Sequence, residues 1–193
     1  MNLPNKLTVI RVFLIPIFMI FMSINFQWGS VNFFGATIRW EYLIAAVIFV
    51  GASLTDLADG KIARKRHLVT NFGKFMDPLA DKMLVLTAFI YLVAVGKAPA
   101  WVVAIIACRE LLITTLRLLI VEQGGSVMAA QMPGKIKTAT QMLAIVFLLL
   151  NDPLFSYWQI PFGTIMLYIC LIFTVYSAYD YLKQNQKYYS DFQ

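Results

Sequence analysis

Apolar residues run through this chain in long blocks, without the strict alternation of a half-buried strand, and polar breaks separate one block from the next. A helix that crosses a bilayer needs about 20 mainly apolar residues. The blocks predict six such helices, over about 8–26, 42–56, 75–95, 99–121, 138–150 and 162–182. The second and fifth are short for a span, so they are expected to extend into polar residues at one end. Gly-, Asn- or Pro-containing breaks fall at about 29–35, 124–134 and 151–161. No internal repeat or low-complexity linker interrupts the pattern. The expectation is an all-α fold, an integral membrane bundle of six transmembrane helices, with residues 1–193 forming one membrane domain.

Composition supports that class. The chain is 60% hydrophobic and 13% charged, with a mean hydropathy of +0.73, which leaves too little polar surface for a soluble domain of 193 residues. The net charge of +6 suits anionic lipid headgroups, and no soluble basic face is available for nucleic acid. Cys108 and Cys170 lie within apolar blocks without paired spacing and read as packing residues. A basic residue precedes the first block as in a secretory signal. The block lacks a small-x-small cleavage site and contains Arg11, so it reads as a retained span.

Positive charge sets the expected sidedness, because short loops rich in Lys and Arg stay in the cytoplasm. Lys6, Lys61, Arg64, Lys65, Arg66, Lys74, Lys135, Lys137, Lys183 and Lys187 fall on one side of the six-span arrangement, against Arg39 and Lys97 on the other. Both termini are therefore expected in the cytoplasm, as is any site built after the second and fourth spans. Trp28, Trp40, Trp101 and Trp158 fall near span ends and read as an interfacial belt.

Four of the ten carboxylates sit in one window: Asp56, Asp59, Asp77 and Asp81. On helices, Asp56 and Asp59 share a face at spacing three, and Asp77 and Asp81 share one at spacing four. Two antiparallel helices can aim both pairs at one spot, where four carboxylates stay ionised only beside cations. An all-oxygen donor set favours a hard divalent ion, Mg²⁺ or Mn²⁺. The alternative is a set of juxtamembrane salt bridges to Lys61, Arg64, Lys74 and Lys82. Gly60 and Gly73 count against it, since mid-helix glycine is unfavourable by about 1 kcal/mol and marks close approach of a ligand or backbone. Pro78 leaves two geometries open: a new helix starting at Pro78 with Asp77 as its cap, or a kinked span.

The window resembles the signature of the CDP-alcohol phosphatidyltransferase family, D-x2-D-G-x2-A-R-x8-G-x3-D-x3-D. Asp56, Asp59, Gly60, Ala63, Arg64, Gly73, Asp77 and Asp81 fill every fixed position. The elements N-L-P-N-K-L-T-x2-R, R-E-L and G-K-I-K-T are similar to the phosphatidylglycerophosphate synthase branch. The resemblance implies attack of an alcohol on the lipid-side phosphorus of CDP-diacylglycerol, with CMP leaving. It implies Asp56, Asp59, Asp77 and Asp81 as metal ligands, with Asp81 also the general base. It further implies Asp59, Gly60, Ala63, Arg64 and Gly73 around the CDP-lipid, and a homodimer. Thr70 reads either as a hydroxyl near the same site or as a cap of the third helix. Asn5, Thr8 and Arg11 are read as lining the cytidine side, with Arg11 alternatively snorkelling to headgroups. His67, the only histidine, lies in a basic run and reads as solvated.

Acceptor choice rests on other residues. Arg109, Glu110 and Arg117 fall inside the fourth block, where a charge at mid-bilayer costs at least about 2.5 kcal/mol, so they should face the bundle interior. With Lys135 and Lys137 they are expected to form an anion site for a phosphorylated acceptor such as sn-glycerol 3-phosphate. The competing expectation is internal pairing of Arg109 with Glu110 or of Arg117 with Glu122, with the lysines serving lipid headgroups. Phosphatidylglycerol, which would give cardiolipin, and inositol phosphate are alternative acceptors. A cation transporter is the rival from another class, and it predicts acids spread through the depth of several spans.

Overall fold

The computed structural model describes residues 3–66, 71–122 and 132–185, with the side chains at 3–7, 56–66, 71–78, 81 and 121–122 outside that description. Among the described residues there are six α-helices: α1 (Leu3–Ser23), α2 (Trp40–Arg66), α3 (Asn71–Ala94), α4 (Ala100–Glu122), α5 (Met132–Leu149) and α6 (Phe162–Gln184). Each expected block appears as one helix. As expected for the short second and fifth blocks, both helices extend into polar residues at one end: α5 begins at Met132, and α2 continues past 56 through Asp59, Gly60 and Arg64 to Arg66. Backbone hydrogen bonding carries a helix beyond its apolar stretch wherever no proline or cap stops it, and this segment has neither. α3 begins at Asn71 and runs through position 78, so no new helix starts at Pro78.

Helix α6 is long and apolar enough to cross a membrane, and it alone passes that test among the described residues; shorter apolar stretches lie at Thr8–Ser23, Trp40–Thr55 and Lys82–Ala94. Charge accounts for part of this. α4 carries Arg109, Glu110 and Arg117 in its interior, and α5 carries Lys135 and Lys137 in its first two turns.

The expected break at 29–35 is instead a β-hairpin, an exception to the all-α reading. β1 (Ser30–Phe33) pairs antiparallel with β2 (Ala36–Arg39), with Val31 opposite Ile38. Phe34 and Gly35 turn the chain at φ +46° and +81°, the positive pair a tight two-residue hairpin requires. Phe-Gly is a weak sequence signal for that turn compared with Asn-Gly, and four-residue strands carry little alternation.

The core is built from faces of all six helices, and Ala36 and Ile38 of the hairpin are buried as well. Phe18 of α1, Phe49 of α2, Phe89 of α3, Ile106 of α4, Ile145 of α5 and Leu167 of α6 are essentially inaccessible. Ala45, Ala46, Ala52 and Ala88 are also buried, and small residues of this kind let helices approach closely. α5 packs against α6 and α1 against α2 and α3. A Cβ on Gly163 would come within 2.9 Å of the Leu148 backbone nitrogen and of Asp152 Oδ1, so the α5–α6 corner depends on glycine there.

The hairpin end is held by polar contacts. Arg39 pairs with Glu41 at 3.2 Å and donates to Asn25 Oδ1 at 2.7 Å. Asn151 donates to the Thr37 carbonyl, and Gly163 N–H donates to Asp152 Oδ1. Lys97 donates to the Leu149 carbonyl with its ammonium 4.4 Å from the centre of the Tyr42 ring. Burial pushes Lys97 down to about 8, against the opposing pull of Asp152. Trp28, Trp40, Trp101 and Trp158 are all exposed at this end. The N-terminal ends of α1, α3 and α5 and the C-terminal ends of α2, α4 and α6 lie at the opposite end, where the acidic window begins.

Candidate functional site

Two neighbouring regions make up the site. The first is the acidic window, whose backbone is described at 56–66 and 71–81. Asp56, Asp59, Gly60, Ala63 and Arg64 occupy the second half of α2, and Gly73, Asp77 and Asp81 the first half of α3. Spacings of three and four on continuous helices keep each aspartate pair on one helix face. Among the described residues no group of three His, Cys, Asp or Glu side chains is placed to hold a metal, and the side chains of Asp56, Asp59, Asp77 and Asp81 lie outside that description. Thr70 and His67 fall outside the described residues.

Thr8 and Arg11 of α1 are both buried at 1% exposure. That burial removes the snorkelling role for Arg11, whose guanidinium lies inside the bundle. Asn5 lies one turn earlier on the same helix.

The second region is a cavity of about 160 Å³ whose lining includes Lys82 of α3, Arg109, Glu110 and Arg117 of α4, and Lys137 and Gln141 of α5. It adjoins the window through Lys82, the residue after Asp81. Arg109, Arg117 and Lys137, expected from the sequence to form an anion site, come together here. Lys135 does not line the cavity: it is exposed, because a step of two residues on α5 turns it away from the face that buries Lys137.

Glu110 is the centre of the ionic network. Its carboxylate accepts from Lys82 at 3.4 Å, from Arg109 at 3.3 Å and from Lys137. Glu110 and Lys137 are 9% and 5% exposed, so their charges persist only because they are paired. Arg109 also donates to Ser177 Oγ of α6 at 2.8 Å, and Arg117 lies 5.4 Å from the centre of the Tyr181 ring. The expected Arg109–Glu110 pair is thus present within a site that holds several cations. Lys82, Ser177, Tyr181 and the hub role of Glu110 are absent from the sequence reading of the acceptor site. Lys82 alone had a signal, its adjacency to Asp81.

Chemically, the cavity offers ammonium and guanidinium donors from three helices, which suits a phosphate monoester. The unsatisfied buried Nε atoms of Arg109 and Arg117 leave donor capacity for such a ligand.

Residues 1–176 match the CDP-alcohol phosphatidyltransferase family. The chain is 48% identical to the CDP-diacylglycerol–glycerol-3-phosphate 3-phosphatidyltransferase of Bacillus subtilis (strain 168), over 95% of both chains. It is 36% identical to the protein of the same name from Pseudomonas fluorescens, over 95% of this chain and 89% of that one. A probable phosphatidylglycerophosphate synthase of Mycobacterium tuberculosis (strain ATCC 25618 / H37Rv) is 34% identical over 94% of this chain and 80% of its own length.

Proposed function

Because the chain belongs to the CDP-alcohol phosphatidyltransferase family, we propose that it transfers the phosphatidyl group of CDP-diacylglycerol to sn-glycerol 3-phosphate, giving phosphatidylglycerophosphate and CMP. The observation that carries the acceptor is the cavity that gathers Lys82, Arg109, Arg117 and Lys137 beside the motif half of α3. A phosphorylated alcohol uses those cations, whereas an uncharged one leaves them without a ligand. The relatives' names point to the same acceptor.

The proposed setting is the cell membrane, crossed six times by a single domain, with both termini and the site facing the cytoplasm. Every helix supports it with large apolar side chains on the outer surface, among them Phe13, Val47, Ile90, Leu111, Leu143 and Ile172. The acids at issue cluster at one end, unlike the depth-spread set of a cation transporter. We read the protein as a homodimer on the family resemblance.

In the proposed mechanism, Asp56, Asp59, Asp77 and Asp81 hold a divalent cation, Mg²⁺ or Mn²⁺, a donor set of carboxylates that fits a hard ion. Such an ion, when bound, neutralises charge on the pyrophosphate oxygens. Arg64 donates to a CDP phosphate, for which its planar fork is suited. Gly60, Ala63 and Gly73 leave room for cytidine and backbone, and Asn5, Thr8 and Thr70 border the nucleotide. Asp81 takes the proton of the acceptor hydroxyl as its oxygen bonds to phosphorus and the bond to CMP breaks. Arg109, Arg117 and Lys137 hold the acceptor's own phosphate.

Single alanine variants at Arg109, Arg117 and Lys137, assayed with one substrate varied at a time, test this reading. Loss of one charge-assisted bond should raise the KM for sn-glycerol 3-phosphate about tenfold or more, with little change for CDP-diacylglycerol. Lys135→Ala should do less, given its exposure. Unchanged acceptor KM in all three, or a loss confined to CDP-lipid binding, would remove the pocket from the acceptor's path.

A further inference from the structure

Glu110 presents a conflict for a phosphate-binding cavity, because it is a buried anion at the centre of the cations that a phosphate needs. Among the described residues four cationic side chains and one carboxylate line the cavity. Three of those cations, Lys82, Arg109 and Lys137, already donate to Glu110. They arrive from three helices, α3, α4 and α5. A phosphate monoester brings a charge of about −1.5 to −2 and must draw on the same N–H groups.

We propose that Glu110 is a resident counter-ion that occupies the place of the acceptor's phosphate between turnovers and competes with it for Lys82, Arg109 and Lys137. The inference rests on the reading that this cavity receives the acceptor's phosphate. With the cavity empty, Glu110 keeps like charges from separating the helices and holds each donor close to its working direction. When phosphate enters, the lysines and Arg109 shift part of their bonding to it. When product leaves, Glu110 takes them back. Glu110 is thus a positioning residue, acting through the cations and not on the reacting atoms. Ser177 Oγ supports the arrangement by holding one arm of Arg109 while the other turns to Glu110.

A residue that merely braces the fold would weaken ligand binding when altered, whereas a competing counter-ion does the opposite. The test uses the full chain in detergent micelles, with inorganic phosphate and sn-glycerol 3-phosphate titrated calorimetrically without CDP-lipid. Glu110→Gln should bind both about tenfold tighter than wild type, since one opposing charge at salt-bridge range is removed. In turnover its acceptor KM and kcat should fall together, as expected when ground-state binding rises and release slows. A second comparison covers the case in which Glu110→Gln does not fold. Replacing the ion pair as a unit, Glu110→Gln with Lys137→Met, removes no net charge and leaves no lone buried charge from that pair. That double variant should bind phosphate at least about threefold tighter than Lys137→Met alone, where Glu110 still competes for Lys82 and Arg109. Equal or weaker phosphate binding in Glu110→Gln, or in the double variant relative to Lys137→Met, overturns the counter-ion role while leaving the acceptor pocket in place. Wild-type protein that binds neither anion overturns the pocket reading itself.

Discussion

Asp81→Asn is expected to lower kcat by about a hundredfold or more while retaining part of the binding of CDP-diacylglycerol, since general-base catalysis contributes roughly 10²–10⁴-fold. An alcohol is a weak nucleophile at neutral pH, and the amide keeps the size of the carboxylate without its basicity. Position 81 lies on α3 next to Lys82, which lines the cavity proposed for the acceptor, so the proposed base adjoins that cavity. Asp56→Asn, on α2, should differ in kind, weakening both metal and CDP-lipid binding. Steady-state kinetics and equilibrium binding of the two variants measure the split. Wild-type turnover in Asp81→Asn would remove it as the base.

Metal removal should have an effect at least as large. The four carboxylates proposed to share one metal site on α2 and α3 would repel one another without a cation, and the pyrophosphate would add more negative charge. Metal ions are worth several kcal/mol of charge stabilisation in such reactions, so EDTA should reduce turnover by about a hundredfold or more. Added Mg²⁺ or Mn²⁺ should restore it, and Ca²⁺ should bind without supporting turnover. Full activity in metal-free buffer would contradict the assignment of Asp56, Asp59, Asp77 and Asp81 as ligands.

Much of the fold could be read in advance because the helices bury apolar blocks. α6 begins at Phe162, where the hydropathy places it. The shortness of its apolar block showed that α2 extends into polar residues, but not that it ends at Arg66, since its last third is held by helical hydrogen bonding without an apolar signal. The hairpin was missed for a related reason: its stability comes from tertiary ties such as Leu154 N–H to the Phe34 carbonyl and Asn151 to the Thr37 carbonyl. The acidic window carried its own spacing, which made it visible in the linear chain. The Glu110 network did not. Its members come from α3, α4, α5 and α6, and no local period links Lys82, Arg109, Lys137 and Ser177. The charge of Arg109 and Arg117 within an apolar block showed that they turn inward, but only the packing of four helices shows what they meet.

The most direct measurement is CMP release by purified protein given CDP-diacylglycerol and Mg²⁺, with candidate alcohols offered one at a time. The account predicts release with sn-glycerol 3-phosphate, accompanied by a lipid product that retains the acceptor's phosphate, and little with phosphatidylglycerol or inositol phosphate. Release with phosphatidylglycerol or inositol phosphate but not with sn-glycerol 3-phosphate would contradict it.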